Sequence, residues 1–461
     1  MLIKKIKLLI ILFILVASKG QLHAQDLDSI KAEIKMLKEY TQRINELEKY
    51  IDQIESDSSS THLQQVKAAQ SDTLGDQILV IPKEDMREPN PVITGSDLVN
   101  DDFKGSWPMF GSDFRMKIGG YLKVDILYDF NGTTDKTQFL MSTIPVKGTP
   151  EYADDGYINF MARETRFNFD VRRTSGKVPL RLFIEGDFWS AGNQLRLRHA
   201  YVVAGDFIVG QTWTTLSYLE SLVTLIDFAA GDALFGGRTT LVRYQKKINE
   251  HWKVAAGIEN LDFLGIENPD MVGGKSSLQL PLLAFRADYS WKTGLLIMGA
   301  SFAQLHWDGG AEGPDASALQ NDFVVGGRQY IGKSDYFTWN FSYGNGSGEN
   351  IMAFAGSDAN AVINIDGKLE TLPAYSLLLG FSHEWSDKFT SNLSVAYGWL
   401  ESKESRDPLA LKQGGIGHLN LIYRPLKNFT CGIEFMYGNQ ETTDGSIGRA
   451  NRLQTMAKYQ F

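Results

Sequence analysis

The sequence predicts an all-β fold: a 16-stranded antiparallel transmembrane β-barrel preceded by an N-terminal α-helical coiled coil. Three observations predict it. From Lys117 to Phe461 side-chain character alternates with a period of two, the signature of strands whose successive residues face opposite sides. Tight and long connections alternate along this stretch, as they do when short turns gather on one rim of a membrane barrel and long loops on the other. The polar faces carry Arg, Asp and Glu in mid-strand, while the opposite faces carry bulky Leu, Phe, Tyr and Val. A soluble sandwich would bury those apolar faces and has no reason to keep the parity of its connections.

The chain opens with MLIKKIK, a positive stretch, then the short apolar run LLIILFILVA, then LHAQ with a cleavage point after Ala24. Residues 1–24 read as a secretory signal, since the apolar run is too short to span a bilayer as a helix. Apolar residues then recur at Leu27, Ile30, Ile34, Leu37, Tyr40, Ile44, Leu47, Ile51 and Ile54. Steps of three and four make an a/d seam with one stammer near Leu37–Tyr40, so residues 25–56 read as an oligomerising periplasmic coiled coil. Residues 57–110 lose all periodicity. SDSSSTH is polar low complexity, and Pro82, Pro89, Pro91 and Pro108 punctuate what reads as a flexible linker before the barrel, residues 111–461.

Strands are expected near 117–130, 160–173, 179–190, 194–204, 206–214, 238–248, 251–260 and 282–291. Eight more are expected near 294–305, 320–330, 333–343, 374–385, 388–400, 413–424, 428–438 and 450–461, making an even 16. Rings near strand ends (Trp213, Trp252, Trp291, Trp339, Trp385, Trp399, Tyr423 and Tyr437) are expected on the outer face as girdles at the two headgroup levels.

Bulk properties narrow the function. A formal net charge of −9 with no basic tract argues against nucleic-acid binding. The single cysteine, Cys431, excludes a disulfide framework and any CxxC zinc site, and its apolar face suits an inert packed thiol. No HExxH or aspartate-rich loop points to a metal, and GGIGH at 414–418 lacks the strand-turn-helix setting of a phosphate loop, so no cofactor is expected.

The segment QLRLRHAYVV, residues 194–203, places Arg196 and Arg198 on one face and Leu195, Leu197, Tyr201 and Val203 on the other. In a barrel those arginines face the lumen, with no acid on their own strand. By the same parity Arg166, Arg172, Arg181, Arg243 and Arg286 point inward, sharing the lumen with Asp170, Glu185, Asp187, Glu259 and Asp288. Such guanidiniums either grip passing carboxylates bidentately or pair with the lumenal acids and fill space. The long gap 215–237 is too apolar for a solvated loop and is expected to fold inward as a constriction, with Glu220, Asp227 and Asp232 facing the arginine wall. The expectation is a diffusion channel for small anionic solutes.

The last strand puts Leu453, Thr455, Ala457, Tyr459 and Phe461 on one face. It resembles the C-terminal signal by which outer-membrane proteins reach the barrel-assembly machinery. GGYLKVDILYDF, ETRFNFDVRR, IEGDF, LRLRHAY, GQTWTTL and LVRY, in this order, resemble the DcaP-like outer-membrane porins, best between Ile118 and Glu259. That resemblance implies a homotrimer in outer-membrane lipid and a preference for carboxylates, dicarboxylates and aromatic acids. It also implies that Arg196, Arg198 and Arg243 are pore-wall residues. The segment after GQTW departs from the family in lacking Pro and Gly-Pro punctuation.

Two other functions are weighed against the channel. An outer-membrane hydrolase would need a serine beside an oriented histidine. His199 and His383 are expected on outward faces, His251 and His306 at strand ends, and only His418 inward near Asn420, with no GxSxG elbow. A structural role, tethering the envelope through the heptad segment, is the other alternative.

Overall fold

The computed structural model describes residue 103, residues 105–109 and residues 113–461, except 154, 230, 232, 263, 312, 402, 404 and 405. The expected signal segment, coiled coil, most of the linker and Asp232 lie outside the described residues.

The first eight wall strands are β1 (Phe114–Asn131), β2, β3 (Leu180–Asp187), β4 (Arg196–Ala204), β5 (Phe207–Trp213), β6 (Arg238–Lys247), β7 (Trp252–Glu259) and β8 (Leu282–Trp291). β2 comes in two pieces, Asp155–Met161 and Arg166–Arg173, both bonded to β1. The second eight are β9 (Gly294–Asp308), β10 (Ala316–Ile331), β11 (Asp335–Asn345), β12 (Pro373–Ser386), β13 (Phe389–Leu400), β14 (Leu411–Leu426), β15 (Phe429–Thr442) and β16 (Ile447–Gln460). Each pairs antiparallel with its successor, and β16 returns to β1 from Tyr121↔Gln460 to Asp129↔Arg452. The sheet therefore closes with all 16 expected strands and leaves no wall edge unpaired, the condition for a sheet within lipid.

Burial runs opposite to that of a soluble protein. Leu122, Val124, Ile126, Tyr128 and Phe130 on β1 are exposed, while Lys123, Asp125 and Asp129 between them are buried. Phe160 is 65% exposed, whereas Asp187 and Arg452 are 0% exposed. An apolar exterior this continuous is stable only against hydrocarbon, and the polar side chains inside satisfy one another.

Two glycines set close crossings in the wall. Gly120 (φ +147°) and Gly210 (φ +129°) would each bring a Cβ to 2.2 Å from a carbonyl oxygen, of Arg166 and Ala200 respectively.

The register shifts near the ends of β12 and β14 and, with more consequence, in the segment that carries the paired arginines. The β3–β4 register shifts between Glu185 and Gly186, so that Glu185 faces His199 and Gly186 faces Leu197. Arg198 and His199 are consecutive and both buried. This bulge reverses the parity beyond it. Tyr201 and Val203, expected outside with Leu195 and Leu197, instead pack inside with Phe183, Ile208 and Leu241. His199, also expected outside, is inside and bonds Thr212 Oγ1 through Nδ1 at 3.1 Å. Trp213, expected in the outer girdle, lies at the inner end of β5 among Leu222, Leu234 and Leu378.

The long connections fold into the mouth. Phe139, Met141 and Ile144 from the β1–β2 connection join Ile351, Phe354, Val362 and Ile363 from the β11–β12 connection in one apolar cluster. Over it lies a small separate sheet in which Ala361–Ile363 pairs with Leu369–Thr371 and with Ile266–Glu267.

Candidate functional site

The wall from β2 to β8 holds the expected arginines, each turned inward by strand parity. On β2 and β3, Asp170 accepts two bonds from Arg181, both at 2.9 Å, and is also held by Arg172 through Nη2 at 2.8 Å and Nε at 3.1 and 3.2 Å. Asp187 accepts Arg196 Nε and Nη2 at 3.0 and 2.7 Å and Arg198 Nη1 at 2.8 Å, while Arg198 Nε donates to Glu185 at 3.1 Å. The acids missing from the arginines' own strand are thus supplied by β3 directly across from it. On β8, Arg286 binds Asp288 from 2.6 Å, and Lys253 reaches the same carboxylate at 2.9 Å. Arg166 lies 3.5 Å from Glu164. The wall is a lattice of charge-assisted pairs, the strong class of hydrogen bond, rather than a bare positive ladder.

The pairs are not symmetric toward water. In the Arg196–Asp187 pair the arginine side chain is 31% exposed and the aspartate side chain 0%. Lys253 is likewise more exposed than Asp288. Such pairs present their positive ends to the interior space.

The β5–β6 connection, residues 214–237, does fold inward, and it is fastened around the whole interior. Arg286 Nη1 donates to Ser217 O at 3.1 Å and Arg328 Nε to Glu220 O at 3.0 Å. Asn420 Nδ2 holds Thr224 O at 2.9 Å, and Lys123 Nζ holds Ile226 O at 2.7 Å. Glu434 accepts the amides of Ile226 and Asp227 at 2.8 and 3.0 Å, with His418 Nδ1 3.1 Å from the same carboxylate. The connection therefore touches β8, β10, β14, β15 and β1 in turn, as a belt. Its tip is Phe228. That ring stacks on Trp189 at 3.8 Å and lies 5.5 to 5.9 Å from the guanidinium carbons of Arg196, Arg198 and Arg166.

The three acids expected on this segment do not share one place. Glu220 approaches Arg286 at 3.7 Å. Asp227 turns to the opposite side, accepting the Phe139 amide at 3.2 Å and that of Ala229 at 3.0 Å. Asp232 is outside the described residues. What faces the arginine cluster is the aromatic ring rather than a carboxylate. Burial pushes the Asp227 carboxyl up to about 6, opposed by His418 and Arg452 and reinforced by Glu434.

Of the other site residues, His418 was expected inward near Asn420 and Lys123 on the polar face of its strand, while Glu434 was missed although it falls on the inward parity of β15. Phe228 belongs to the belt, where no period applies, and Arg238, whose guanidinium carbon lies 4.6 Å from the Trp213 ring, is the first residue of β6. Among the described residues a histidine meets a serine hydroxyl where His306 Nδ1 lies 2.8 Å from Ser317 Oγ. The serine sits on the nitrogen that an orienting carboxylate would need, an arrangement unlike a nucleophile–base–acid relay.

A model of the DcaP outer membrane protein family matches residues 74–461, the entire barrel included. The chain belongs to the DcaP family. Among solved structures, the outer membrane channel DcaP of Acinetobacter baumannii is similar at a TM-score of 0.66 and 19% identity, over 76% of this chain and 99% of that one. OmpT of Vibrio cholerae follows at 0.49 and 13% identity, over 77% and 99%. Salmonella typhi OmpF in complex with daunomycin stands at 0.47 and 10% identity, over 77% and 99%. A search among curated proteins matched none. Family and fold together make this DcaP member a bacterial outer-membrane barrel of the porin type.

Proposed function

We propose that the barrel is a diffusion channel for small anionic solutes, carboxylates and dicarboxylates, with Arg196, Arg198 and Arg166 as the contact surface. One observation carries this reading: the Arg196–Asp187 pair buries its aspartate side chain and shows its arginine side chain. An anion approaching the belt meets donors first and the wall acids only behind them. Passage requires Phe228 to leave the cluster, because the inward side chains around it are nearly all buried. Reversal potentials of the full chain in planar bilayers under a salt gradient test the preference. A negative-ion bias is expected, and a positive-ion bias overturns it.

The same reading places the chain as a homotrimer. β5 has 7 residues against 14 in β15. At about 3.3 Å per residue and a tilt near 40°, the shorter strand rises only about 18 Å, less than the roughly 25 Å apolar band of such barrels. A partner covering the low wall removes the mismatch, and the heptad segment 25–56 would join the subunits on the periplasmic side. The strand ending at Phe461 is taken as the segment read by the barrel-assembly machinery.

A further inference from the structure

Arg243 differs from the other wall arginines. It is 2% exposed, and its Nη1 donates to Trp213 O at 3.3 Å. Its Nε and Nη2 reach no acceptor among the described residues. A buried donor left unmet carries its full desolvation cost, so a partner for this pair of N–H groups is strongly favoured. Arg243 lines a cavity with Thr215, Gln245, Lys253, Arg286 and Asp288 that has room for a single water-sized occupant.

Charge separates water from an ion. Three cations border the space; Asp288 is already divided between Arg286 and Lys253, and Glu220 stands 3.7 Å from Arg286, which leaves Arg243 as the bordering cation with no carboxylate in contact among the described residues. Glu259, on the strand paired with β6, spends an oxygen on the Thr215 amide at 2.7 Å. We propose that this cavity is a binding site for one monovalent anion of halide size, held side-on by Nε and Nη2 of Arg243 and flanked by Lys253 and Arg286. Water would answer two donors but leave the Arg243 charge without an anion in contact. A sulfate or a dicarboxylate exceeds the space.

The site sits under the neck of the belt. Arg243 grips Trp213 O, and Arg286 grips Ser217 O and, at 3.5 Å, Thr215 O. An anion between the two guanidiniums relieves their repulsion and tightens both grips. The site exists whether or not the barrel conducts, so bilayer recordings do not bear on it.

Crystals of the full chain grown in bromide test it directly by anomalous scattering. A bromide peak beside Arg243 is expected, and a cavity holding only water overturns the proposal. Hydrogen exchange of the amides from Trp213 to Ser217 gives a second readout in chloride against gluconate at equal ionic strength. Chloride at ten times its dissociation constant should slow exchange about tenfold. R243Q should abolish that difference, and an unchanged chloride effect in R243Q overturns the assignment. Should R243Q fail to assemble, the bromide measurement on the unaltered protein still decides.

Discussion

Phe228 lies flat against Trp189, ring centroids 3.8 Å apart and planes within 11°. Three guanidiniums surround the same ring, so a loop tip and a rim residue together seal the space in front of the arginine wall. Stacked and cation–π contacts of this kind contribute about 0.5–2 kcal/mol each, enough to hold a tip closed yet small enough to be outcompeted.

F228A removes the seal without touching the wall. Single-channel conductance of the full chain should rise several-fold over the unaltered protein. If both conduct equally, Phe228 is no gate. If neither conducts, even with residues 218–234 replaced by a short Gly-Ser link, the channel reading itself fails.

D187N strips the shared acceptor from Arg196 and Arg198. Removing one partner from a buried ion pair costs about 3–5 kcal/mol, partly recovered here because Glu185 still holds Arg198 Nε. Thermal unfolding in detergent should therefore occur at lower temperature, with anion selectivity raised rather than lowered. R196A should do the reverse to selectivity and cost little stability, as Arg196 is the exposed member of its pair.

The belt should also respond to pH through Asp227. Its carboxyl is raised by burial to about 6, above its value in an undocked loop near 4, so the docked belt favours the neutral acid. The docking contribution is full below about pH 4 and declines as pH rises through 6, by at most about 3 kcal/mol. After correction for the intrinsic base-catalysed rise, hydrogen exchange across residues 224–229 should accelerate between about pH 4 and 6, and D227N should flatten that profile. Acceleration that survives D227N would assign the effect to another group.

G210V places a branched side chain where a Cβ already meets the Ala200 carbonyl at 2.2 Å. The β4–β5 pairing should fail, read as loss of the heat-modifiable folded band on gels. G445A, where a Cβ meets nothing within 4 Å, should leave that band intact despite its positive φ.

Strand number and the inward direction of Arg166, Arg172, Arg181, Arg196, Arg198 and Arg243 were legible because a period of two needs only local sequence. Tyr201, Val203 and His199 were not, because a one-residue bulge between Glu185 and Gly186 is a property of two strands together. The inward fold of 214–237 could be read from its apolar content. The ring of fastenings to Arg328, Asn420 and Glu434 could not, since those partners lie 106 to 208 positions away. Asp227 shows the same limit: its acidity suggested the arginine wall, but the backbone amides of Phe139 and Ala229 claimed it.

Arg452 and Asp129 meet across the seam although 323 residues separate them. No shorter stretch of the chain can form a sealed wall, so the closing edge of β1 waits with bare amides and carbonyls until β16 arrives. Synthesis order therefore cannot guide this fold. Its export demands escorts that keep the growing ribbon from pairing with its own kind.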